Sequence, residues 1–103
     1  MGVGRREVVW VGAAARAAND AVAFVAKDSP KSARQILDRA LEAAESLATL
    51  SDRGRVVPEV DSPTVRELFV YNYRLIYEVH DNEIAVLAFL HGSRDFTKIN
   101  LRR

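Results

Sequence analysis

The apolar positions change period once along the chain, near residue 54. Before it they recur every three or four residues, as on one side of a helix; after it they alternate or run together, as in strands. A short exception opens the chain: Val8, Val9, Trp10 and Val11 are β-branched or aromatic and predict a strand from Glu7, which Gly12 ends. From Ala13 to about Lys27, alanine-rich sequence with Ala15, Ala18, Val22 and Val25 on one side predicts a helix. Asp28-Ser29-Pro30 breaks it, because the residue before proline avoids helical geometry while proline suits a first helical position. Ser29 is then the expected N-cap of a second helix. Ala33, Ile36, Leu37, Ala40, Leu41, Ala44, Leu47 and Leu50 form its apolar stripe, whose central line is expected in the core, and Ser51-Asp52-Arg53-Gly54 ends it.

Beyond Gly54, Val65–Val70 and Tyr73–Val79 read as strands. In the second, Tyr73, Leu75, Tyr77 and Val79 share one face, and Arg74, Ile76, Glu78 and His80 the other. Ile84 to Leu90 is a continuous apolar run, the pattern of a strand covered on both faces. Tyr71-Asn72 and Asp81-Asn82 are the expected turns. The elements assemble into an α+β fold: an N-terminal strand and a helical hairpin packed on a twisted antiparallel sheet of three to four strands. One domain is expected over residues 1–103, with 1–6 and 97–103 read as ends that are flexible or contact a partner.

Composition narrows the class. Cysteine is absent, which excludes disulfides, thiolate metal sites and a cysteine nucleophile, and fits a reducing compartment. No apolar run approaches the ~18 residues of a membrane span, and the interrupted apolar start does not read as a secretion signal. A cytoplasmic protein is expected. Fifteen basic and 14 acidic residues leave a net charge of only +1, so bulk charge does not mark a nucleic-acid binder. Locally, Lys98, Arg102 and Arg103 make the C-terminal end basic, as suits an anionic partner or simply a solvated end.

Phosphate-loop, nucleophile-elbow and zinc-protease motifs are all missing. The two histidines, His80 and His91, stand at opposite ends of the last hairpin, so no metal site is expected, and no cofactor either. The remaining chemistry-bearing residues are Arg55, Glu59, Arg66, Glu67, Arg74, His91 and Arg94. Strand pairing across Asn72 is expected to bring Arg66 near Arg74. Arginine forks with a histidine beside them would suit RNA cleavage, holding phosphate and moving a proton. The structural alternatives are an Arg66 ion pair with Glu67 or Glu78, a carboxylate partner for Arg74, and a strand-end His91 bonded to backbone. Tyr71, Tyr73 and Tyr77 suit base stacking, but on a half-covered strand they read first as packing.

The order of several stretches resembles the RelE/ParE toxin family over about residues 8 to 96. They are Val9-Trp10, Phe24-Val25-Ala26-Lys27-Asp28-Ser29-Pro30, Gly54-Arg55-Val56-Val57-Pro58-Glu59, Val65-Arg66-Glu67-Leu68, Tyr73-Arg74-Leu75-Ile76-Tyr77-Glu78-Val79 and Leu90-His91-Gly92-Ser93-Arg94-Asp95. The resemblance implies the toxin of a type II toxin–antitoxin pair, of the kind linked to plasmid stabilisation. It implies neutralisation by a cognate antitoxin, with operator DNA reached only through that antitoxin. ParE-like members inhibit DNA gyrase; RelE-like members cleave messenger RNA, usually on the ribosome. The 28–30, 54–59 and 91–95 stretches look more ParE-like. No lysine lies between Arg55 and Asp95, and Phe96 stands where a RelE-like site would use a tyrosine hydroxyl. The resemblance therefore favours a non-enzymatic gyrase inhibitor. The alternative is an mRNA interferase, with Arg55, Arg66 and Arg74 on phosphates and His91 carrying the proton. Arg94, Lys98, Arg102 and Arg103 are the candidate partner or nucleic-acid contacts.

Overall fold

The computed structural model describes residues 4–98. Its elements are β1 (Glu7–Trp10), α1 (Gly12–Ala26), α2 (Pro30–Ser46), β2 (Arg55–Val56), β3 (Val65–Val70), β4 (Tyr73–Val79), β5 (Glu83–His91) and a 3-10 turn (Phe96–Lys98). The two helices lie on one face of a single sheet with strand order β1-β5-β4-β3-β2. The α+β architecture is as expected, but the sheet has five strands rather than three to four, and it is mixed rather than antiparallel. β1 runs parallel to β5, in register from Glu7 opposite Glu83 to Trp10 opposite Val86, while the other pairings are antiparallel. The fifth strand, β2, is two residues long, too short for a period to reveal.

Local chemistry explains the helical hairpin. The Ser29 hydroxyl oxygen accepts the Ser32 N–H at 3.1 Å, capping α2 with Pro30 in its first turn. The buried seam of α2 is Ala33, Ile36, Ala40, Ala44 and, just past its end, Leu47. It meets Ala14 and Ala18 of α1 and, from the sheet, Leu75, Tyr77, Ile84, Val86 and Phe89. Small residues on both helices permit their close approach. Leu41 and Leu50 leave this seam: both lie more than half exposed, correcting their expected place in the buried stripe. The stripe is wider than the line that the sheet and α1 can cover.

β4 keeps the alternation expected of it, and β5, expected as an apolar run, is covered on both faces but carries an irregularity. Ile76 pairs with Ala88 and Tyr77 with Val86, so Leu87 is an extra residue, a β-bulge. Ile84 and Val86 face the helices before the bulge, and Phe89 faces them after it. Ala88 and Leu90 turn to the opposite face, where they join Val57, Val65, Ile76 and Phe96 in a second, smaller core. The segment after β2 and the C-terminal 3-10 turn thus cover the sheet face that the helices leave open.

Tyr77 ties the two halves together. It is fully buried, its hydroxyl donates to the Ser51 carbonyl at 2.8 Å, and it accepts the Gly54 N–H at 3.0 Å. Burial pushes this hydroxyl's pKa above its ordinary 10.0. A side chain at Gly54 would meet the Glu67 carbonyl and the Tyr77 hydroxyl, each at 2.6 Å, so the close approach requires glycine. Among the described residues no helix is long and apolar enough to cross a membrane.

Candidate functional site

The strongest polar constellation lies on the sheet face opposite the helices. Arg74 projects there from the middle of β4, and Glu67 projects from β3 on the same side. The Arg74 Nε–H donates to Glu67 Oε1 at 2.6 Å. Its two terminal nitrogens grip Glu59 in a fork, at 2.7 and 2.8 Å. One of them also donates to the Arg94 carbonyl at 2.9 Å. Four of the five guanidinium N–H groups are therefore engaged. The second oxygen of Glu67 accepts from Arg55 Nε at 2.6 Å, and Glu59 also accepts the Phe96 N–H at 3.1 Å. Arg55, Glu67, Arg74 and Glu59 thus form a row of alternating charge.

Burial makes the row tight. Arg74 is 5% and Glu67 1% exposed, whereas the Arg55 side chain is 60% exposed at the outer end. The hydrogen bonds from Arg74 hold the Glu59 carboxyl well below its ordinary 4.5, at about 2, against the opposing effect of burial; the Phe96 N–H adds to the shift. The same bond to Glu59 holds the Arg74 guanidinium above its ordinary value. With its donors spent on carboxylates, Arg74 has little left for a phosphate.

The other candidate residues do not gather around it. Arg66 sits opposite Tyr77 in register, on the helix-facing side, while Arg74 sits opposite Phe69 on the other side. The expected proximity of Arg66 and Arg74 is therefore corrected: strand alternation puts them on opposite faces. Nor does Arg66 pair with Glu67 or Glu78. It donates to the carbonyls of Gly54 at 2.9 Å and Pro63 at 3.0 Å, tying down the loops before and after β2. Glu78 contacts His80 instead, at 3.0 Å. His91 ends β5, opposite Tyr73, and its exposed ring shares a 2.9 Å hydrogen bond with the Ser93 hydroxyl. Arg94 is exposed, and its backbone rather than its side chain serves Arg74. Lys98 closes the 3-10 turn; Arg102 and Arg103 lie outside the described residues. No cluster of three or more metal-ligating side chains occurs among the described residues.

Two surface features escaped the sequence reading. One is an apolar groove of about 170 Å³ between the helices and the sheet, lined by Trp10, Ala18, Val22, Leu37, Leu41 and Phe89. The excess width of the α2 stripe was its signal. The other lies along the outer side of β3, where Phe69 and Tyr71 are both 55% exposed beneath arginines: Arg55 lies 5.4 Å from the Phe69 ring centre and Arg39 5.8 Å from that of Tyr71. Pairing of an aromatic with an arginine from another element leaves no mark in a local pattern.

Comparison with known proteins bears on the whole chain. The family model for the ParE toxin of the type II toxin–antitoxin system parDE matches residues 8–96. No curated protein matches. Among solved structures, a chain of the chromosomal ParDE toxin–antitoxin system from P. aeruginosa superposes with a TM-score of 0.68 at 20% identity, covering 84% of this chain and 96% of that one, so the two share a fold. Nearly the full length, from β1 to the 3-10 turn, matches the family model, and the chain belongs to the ParE toxin family of type II toxin–antitoxin systems.

Proposed function

We infer that this protein is a toxin that inhibits DNA gyrase by direct contact, without hydrolytic chemistry, and that a cognate antitoxin neutralises it. The observation carrying this reading over messenger cleavage is the engagement of Arg74. Phosphate binding needs free guanidinium donors, and those of Arg74 are committed to Glu59, Glu67 and the Arg94 carbonyl. Arg66, on the other face, gives its Nε and one terminal nitrogen to loop carbonyls. His91 therefore has no assembled pair of arginines to work with. What remains available to a partner is surface: the exposed Arg94 and, by sequence, the basic end at Lys98, Arg102 and Arg103. Operator DNA is reached only through the antitoxin.

The apolar groove between α1, α2 and β5 suits the antitoxin. Leu41, more than half exposed beside it, offers an anchor for the apolar face of a tail that orders on binding. The association of a ParDE system with the similar solved chain supports such a partner.

The test is a pair of assays on one purified sample: gyrase supercoiling, and messenger cleavage in a translating extract. Supercoiling is expected to fall with messenger intact, and His91→Ala is expected to inhibit within about twofold of the parent. Messenger cleavage with normal supercoiling, abolished by His91→Ala, would overturn the reading.

A further inference from the structure

Tyr71 is an unusual residue for its place in the fold: two-residue hairpin turns take a positive φ at their first position, which seldom carries a large side chain. It stands at the tip of the β3–β4 hairpin with φ +54°, in the left-handed region where a bulky side chain is strained and glycine or asparagine is favoured. It packs into no core, and the ring contact it makes is with Arg39 of α2. Strain retained at an exposed aromatic points to use rather than to architecture.

Its surroundings suggest the use. Phe69 is equally exposed, and a shallow groove of about 240 Å³ runs beside it, lined by Arg39, Glu42, Arg53 and Leu68. Arg53 donates to the Ser46 hydroxyl and has no carboxylate partner among the described residues. Arg39 meets Glu42 only loosely, at 3.8 Å, with both side chains mostly exposed. Exposed tyrosine and arginine around an apolar centre have the composition of interface hot spots.

We propose that this edge, centred on Tyr71, Phe69 and Arg53, is the surface by which the toxin docks on its protein target, and that it receives an acidic segment bearing an apolar side chain. Arg53 supplies the unmatched positive charge, Leu68 and Phe69 in the groove supply the apolar contact, and Tyr71 extends it from its place against Arg39. Arg39 and Arg53 outnumber Glu42 in the groove, which leaves a positive balance for a lone acidic side chain but no row of cations for a nucleic-acid backbone. The antitoxin, a lasting partner, fits the apolar groove on the helical side; an edge of mixed polarity fits a transient contact. The proposal rests on the reading of the protein as a contact-inhibiting toxin, but not on gyrase being the target.

The test uses Tyr71→Gly and Arg53→Glu, each compared with the parent chain by thermal melting, antitoxin binding, growth arrest in cells lacking the antitoxin, and gyrase inhibition. Glycine accepts φ +54° freely, so Tyr71→Gly is expected to melt within a few degrees of the parent. Both variants should bind antitoxin as the parent does and lose growth arrest by tenfold or more in the inducer level required. Folded variants that still arrest growth would overturn the proposal. So would a selective loss of antitoxin binding, or a change in binding to a labelled oligonucleotide, since each assigns the edge to another occupant. If the parent arrests growth without touching gyrase, the gyrase reading fails while the growth readout still decides this one. A parent that neither arrests growth nor inhibits gyrase sinks both.

Discussion

Replacing Glu59 by glutamine keeps the shape of the group that grips Arg74 and removes its charge. Because the folded pKa of Glu59 lies at about 2, below its ordinary 4.5, its charged form stabilises the fold at neutral pH. That contribution is lost as pH falls from about 4.5 towards 2. Melting temperature should therefore drop over this acid range in the parent and drop less steeply in Glu59→Gln, which starts lower at neutral pH; equal slopes in a melting series would reject the assignment. Arg74→Ala is the harsher change. It leaves the buried Glu67 without its principal cation, and removal of one partner from a buried pair costs about 3–5 kcal/mol, measurable by urea denaturation. The sequence allowed a carboxylate partner for Arg74 but could not choose it. Glu67 is reached by strand register and Glu59 by a loop fold, and neither leaves a periodic trace. The same register explains why Arg66 and Arg74, close in the chain of pairings, face apart: their positions differ by an odd step across the hairpin.

Among the elements, α2 was the most readable and β2 the least. Its cap, its proline and its three-and-four spacing all agree on where α2 starts, so Ser29→Ala should cost about 1 kcal/mol, seen as a small fall in urea midpoint with an unchanged slope. β4 was readable because polar and apolar residues alternate along it. β5 is apolar almost throughout, and an unbroken run hides both its facing and its bulge; the insertion of Leu87 is visible only against the register of β4. β2 was unreadable for the opposite reason, since two residues carry no period. The apolar stripe of α2 is wider than its buried seam: Leu41 is apolar yet more than half exposed.

That leucine separates stability from recognition for the molecule as a whole. Leu41→Asp should leave the melting temperature within about 4 °C, as surface changes away from the core usually stay near 0.5 kcal/mol, while antitoxin affinity falls at least tenfold by calorimetric titration. A large loss of stability with affinity intact would place Leu41 in the core after all and empty the groove of its role. The architecture was legible from the sequence because helices and strands differ in period; the working surfaces were not, because each is built from elements distant in the chain.

The parallel pairing of β1 with β5 has a consequence for how a copy of this protein comes into being. Residue 7 lies beside residue 83, so during synthesis β1 has no neighbouring strand until the residues between them have been made. At roughly 5–20 residues per second, that wait lasts several seconds, during which α1 lacks the strand it rests on. A translation product cut short anywhere before β5 lacks that platform.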